Sequence, residues 1–124
     1  MAALREAISA GLANAPVEVH PGPLDAVAGP CLLVGWADPW LEPANAATAL
    51  AHPSITCVAG RVDAGAGLEA LEELVHYAMG AAWLIPMGVT RVEGPALTTF
   101  GGVDYLTARL ILTTPLLLKG NSNG

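Results

Sequence analysis

The segment Val103–Thr114, VDYLTARLILTT, constrains the fold more than any other part of the chain. Extended, it places Leu106, Ala108, Leu110 and Leu112 on one face and Tyr105, Thr107, Arg109, Ile111 and Thr113 on the other. Both faces carry large apolar groups. A strand of this kind needs cover on each side, from its own chain or from a partner subunit. The preceding Gly101-Gly102 is a two-residue hairpin signal and pairs the segment with Ala96–Phe100.

The 124 residues suit one domain, expected over 1–115, with a mobile tail over 116–124 that ends KGNSNG and has little to bury. Apolar residues make up 53% of the chain and charged residues 13%, against roughly 25% in ordinary soluble domains. The surface is therefore built of small residues or is covered by other subunits. The formal net charge is −6, and the five basic residues are scattered at 5, 61, 91, 109 and 119. Without a basic cluster, neither phosphate binding nor a polybasic membrane anchor is expected.

Arg5 beside Glu6, with no long apolar run behind, gives no signal-peptide pattern. The most apolar window, Leu74–Val89, contains His76, breaks at Pro86 and falls short of the ~20 residues of a membrane helix. Cys31 and Cys57 lie in apolar, strand-like runs outside any CxxC pattern. Buried free thiols are expected, a disulfide between neighbouring strands being the alternative.

Leu4, Ile8 and Leu12 form one stripe of a helix over Ala2–Ala13, stopped by Asn14 and Pro16. Val17–His20 alternates as a short strand, Leu24–Pro30 reads as a loop, and the apolar run Pro30–Trp36 reads as an interior strand. The three prolines of Ala37–Ser54 predict a long loop, with a helical turn or two over Ala44–Leu50. Ile55–Val62 is a strand with Ile55, Cys57 and Ala59 on one face. Asp63 is a suitable N-cap for the clearest amphipathic helix, where Leu68, Leu71, Val75 and Ala78 recur at helical spacing. That helix ends between Gly80 and Ile85. Val89–Glu93 is a short strand broken by Gly94-Pro95. The expected class is α+β: a mostly antiparallel sheet of about four or five strands, with an N-terminal helix and a longer central helix packed against it.

The residues offer no catalytic, cofactor or metal constellation. His20, His52 and His76 lack a neighbouring nucleophile or carboxylate in any known motif and read as surface or loop histidines. Glu69, Glu72 and Glu73 lie opposite the helix's apolar stripe and read as a solvated face near the dipole's positive end. Gly60–Gly67 joins strand to helix where phosphate loops sit, but lacks their glycine order and lysine. Trp36 and Trp40 flank Ala-Asp-Pro and suit either a satellite core or an interface; Trp83 reads as core.

The succession VEVHPGPL, GPCLLVG, a proline-rich stretch, GRVDAGAGLEALEELV and GGVDYLTARLILTT resembles the small tail terminator proteins of long-tailed phages that infect actinobacteria, also described as head-to-tail connectors or minor tail proteins. The resemblance spans about Leu4–Thr114. It implies a virion protein that is not an enzyme and needs no cofactor. Such a protein forms a ring, typically hexameric, on the head-proximal end of the tail tube. The ring ends tube polymerisation and presents a surface to the neck and head-completion proteins. DNA passes through its lumen without specific binding, and the protein is found in the virion and, during assembly, in the host cytoplasm. On that reading Trp36, Trp40, Leu41, Tyr105 and Ile111 are candidates for subunit or tail contacts, and Glu69, Glu72, Glu73 and Asp104 for the lumen wall. The alternatives are another neck or tube component, a small ligand-binding or enzymatic subunit with its pocket near the long loop and His20 or His52, or a toxin–antitoxin or regulatory partner.

Overall fold

The computed structural model describes residues 8, 10–12, 15, 17–21, 30–45, 47–65, 67–84 and 88–117. Five strands form one sheet: β1 (Glu18–Pro21), β2 (Cys31–Pro43), β3 (Thr48–Arg61), β4 (Gly88–Phe100) and β5 (Val103–Leu117). One helix, α1 (Leu68–Leu84), follows a short 3-10 turn over Val62–Ala64. The spatial order is β1-β2-β3-β5-β4. β1 runs parallel to β2, and the other neighbours are antiparallel. β5 is thus interior, which gives each side of the VDYLTARLILTT strand a neighbour.

The α+β expectation is corrected: the described fold is mostly sheet, and the expected pair of an N-terminal helix and a longer central helix against it is not seen among the described residues, where α1 is the one complete helix. Of Ala2–Ala13 only Ile8, Ala10, Gly11 and Leu12 are described, with Ile8 and Leu12 buried in the core. The sheet gains its weight from strands of 13 to 15 residues, about twice the ordinary length. They absorb segments that prolines mark as loops. Ala37–Ser54 is not a long loop, and its described residues hold no helical turn. It forms the ends of β2 and β3 around a tight turn, in which Asn45 Oδ1 accepts from the backbone N–H of Ala47 (2.8 Å) and Thr48 (2.9 Å). Pro39 interrupts pairing only locally, through a register shift between Trp36 and Leu41. Gly94-Pro95 likewise produces a shift between Glu93 and Ala96 instead of ending a strand, so β4 is continuous.

Pleating divides the sheet as the alternation predicts. Leu32, Val34, Ile55, Cys57, Leu110 and Leu112 share one cluster with Leu71, Leu74 and Ala78 of α1. Fully burying such a Leu or Ile contributes about 1.5–3 kcal/mol. Cys31, Leu33, Val58 and Tyr105 form a smaller cluster on the opposite face, where Phe100 meets Tyr105 edge-on at 5.6 Å. Asp63 does not cap α1: its carboxylate accepts two bonds from Arg61, at 2.9 and 2.7 Å, within the 3-10 turn. Leu116 and Leu117, assigned to the tail from sequence, pair with Ala49 and Thr48 in β5. The loop expected at Leu24–Pro30 and the tail beyond Leu117 lie outside the described residues, except Pro30.

Candidate interaction surface

No described element covers the sheet on the side away from α1. Its residues form cross-strand rows. Cys31, Val58, Thr107 and Ala96 stand side by side across β2, β3, β5 and β4. Leu33, Thr56, Arg109 and Glu93 form the next row, then Gly35, Ser54, Ile111 and Arg91. Small side chains among them, Gly35, Ser54, Thr56, Ala96 and Thr107, leave space above the sheet, which Trp36 and Phe100 also line. Gly35 keeps the floor open, since a Cβ there would already touch Ser54 Oγ at 3.5 Å. The result is a groove of about 610 Å³.

Arg109 is its charged centre. Nη2 donates to the Trp36 carbonyl at 2.7 Å, so the side chain on β5 passes over β3 to reach β2. The small Ser54 and Thr56 beneath it make that path possible. Nη1 lies 3.8 Å from Glu93, which also accepts from Arg91 Nε at 2.9 Å. Arg109 and, beside the groove, Arg91 share the one Glu93 carboxylate, so this cluster is net positive in a chain that is otherwise acidic.

A second polar array crosses the far end of the sheet. His52 is buried in β3, not exposed in a loop. Its Nε2 donates to Glu42 Oε1 at 2.5 Å, and its Nδ1 lies 3.2 Å from both Leu112 O and Thr113 Oγ1. Thr113 in turn bonds Thr90. The array links β2, β3, β5 and β4, and we read it as a clamp on the extended hairpin. Sequence reasoning missed it because Glu42 and His52 pair only once the proline-rich stretch is recognised as two strands.

The predicted contact residues separate into two groups. Trp40 is 46% exposed and meets Trp36 edge-on at 5.7 Å; Leu41 is half-buried beside it. Tyr105 and Ile111 are each only 3% exposed, so the subunit itself already covers them. Glu69, Glu72 and Glu73 are exposed on α1, whereas Asp104 sits at the β4–β5 hairpin and accepts from Thr99 Oγ1 at 2.7 Å. These acids lie on two separate elements. Val92 and Leu97 of the edge strand β4, unremarked in the sequence, are 42% and 63% exposed.

The thiols are buried and free. Leu32 is the register partner of Cys57, and Cys31 that of Val58, so the two sulfurs point to opposite faces and no disulfide between them is possible without rebuilding the sheet. Burial pushes the Cys57 thiol up to about 12, and burial with the nearby Glu18 charge pushes Cys31 up to about 11. Neither suits a nucleophile at neutral pH. Among the described residues no three His, Cys, Asp or Glu side chains converge to hold a metal ion, and no helix is long and apolar enough to cross a membrane. The side chain of Trp83 lies outside the described residues. The chain matches no protein-family model and no curated protein significantly.

Proposed function

We propose that this chain is a structural subunit of a closed ring, a tail terminator that caps the head-proximal end of a phage tail tube and joins it to the neck. The observation that carries the reading is the sheet's second face: α1 packs on one side, and on the other, where no described element lies, a groove is lined by Trp36, Arg109 and Phe100. A subunit with two unlike faces is suited to heterologous contacts, which form a ring where the rotation between neighbours closes. The exposed Trp40 and the resemblance in sequence support the same reading. The low count of basic residues suits a lumen that DNA must traverse without being held. The test is length control: added in increasing amounts to a tube subunit under assembly conditions, the protein shortens the tubes. Unchanged tube lengths contradict the terminator role.

A second reading is favoured by the groove's size, which falls within the range of small-molecule sites, and by the single guanidinium in it. Reproducible thermal stabilisation by a small anionic metabolite would support a ligand-binding subunit instead.

A further inference from the structure

We propose that the groove receives the outer flank of helix α1 from a second copy of this chain, with Glu72 of that copy meeting Arg109. This inference rests on the ring reading and names its subunit contact. Leu68, Glu72, Val75 and Met79 recur along one flank of α1. Leu68 and Met79 are 54% and 38% exposed, and Val75 borders the core. The flank thus exposes an apolar residue at each end, Leu68 and Met79, with the Glu72 carboxylate between them. The groove has the complementary groups, apolar Trp36 and Phe100 with the Arg109 guanidinium.

Charge selects this occupant over an arbitrary apolar segment. The described part of α1 carries Glu69, Glu72 and Glu73 and no Lys or Arg, whereas the groove is lined by Arg109, with Arg91 close by and Glu93 the one carboxylate between them. α1 and the groove lie on opposite faces of one sheet, so each copy offers a donor on one side and an acceptor on the other. The contact is heterologous and repeats around a closed ring.

The test is a charge exchange read by sedimentation velocity over a concentration series of the full chain. Glu72→Arg alone and Arg109→Glu alone are each expected to raise the concentration needed for assembly at least about tenfold, and the double variant to restore it, as close interfacial charge pairs do. Assembly unchanged in the single variants overturns the docking and leaves the ring reading standing. A wild-type chain that stays monomeric throughout overturns both. Because Arg109 also holds Trp36, the Arg109 variant may be replaced by Leu68→Ser/Met79→Ser, which alters only exposed side chains. That variant is expected to remain folded and to lose assembly, and intact assembly in it overturns the docking.

Discussion

Arg109 on β5 donates through Nη2 to the Trp36 carbonyl on β2, 2.7 Å away, across the intervening β3. One side chain therefore ties together three strands and supplies the charge at the centre of the open face. Arg109→Met keeps the aliphatic stem and removes the donor. We expect a loss of about 1–2 kcal/mol in urea unfolding, the scale of a hydrogen bond from a charged group that is partly solvated. An unchanged midpoint would mean the bond contributes nothing to the fold.

His52 is predicted to be structural. His52→Leu removes the donor to Glu42 and breaks the array through Thr113. A cost of about 1–2 kcal/mol is expected, because the buried His52 gives up its bonds to Glu42 and to the β5 backbone and Thr113. The double variant His52→Leu/Glu42→Leu should recover part of the loss. A double variant no more stable than the single one would place the energy elsewhere.

Gly94 adopts φ +112°, and a Cβ there would stand 3.1 Å from the Thr107 carbonyl and 3.2 Å from Ala108 Cα. Both neighbours are backbone of the interior strand and cannot yield cheaply. Gly94→Ala is expected to destabilise by about 1–3 kcal/mol, from positive-φ strain and crowding together. Thermal unfolding measures it, and a melting temperature equal to wild type contradicts the geometry.

The thiols give a pH dependence with a definite sign. Both sulfurs ionise at higher pH in the folded chain than their ordinary 9.0. The stability they contribute is complete below about 9 and falls as pH rises towards about 11 and 12, because the unfolded chain loses those protons first. Urea midpoints should fall from pH 8 to pH 10, and the fall should be smaller in Cys57→Ala. At neutral pH, alkylation should require denaturant. Rapid labelling of the native chain would contradict the burial.

How far the sequence carries can be judged from these same residues. Alternation assigned both faces of β5 correctly, because a strand with neighbours on both sides has a strict period of two. The amphipathic pattern placed α1 for the equivalent reason. Prolines misled twice, at Pro39 and Pro95: each disturbs pairing for a few residues only, and strands long enough to continue past a bulge look like loops in sequence. Tyr105 and Ile111 look surplus to a monomer although each is buried, Tyr105 against the Phe100 ring, because sequence does not show what a side chain's own neighbours cover. The groove was not legible at all. It arises from small residues on separate strands, Gly35, Ser54 and Thr107, brought together by register.

Trp40, on the exposed hairpin, separates folding from assembly. Trp40→Asp is expected to keep the wild-type circular dichroism spectrum and melting temperature to within a few degrees, while weakening association. An equal loss of both would place Trp40 in the monomer's own packing against Trp36.

Native mass spectrometry of the purified full chain tests the central claim most directly. A single closed oligomer, most simply a hexamer, with no ladder of open intermediates, is the predicted result. A monomer at every concentration, including in the presence of assembled tubes whose ends it leaves free to grow, would contradict it.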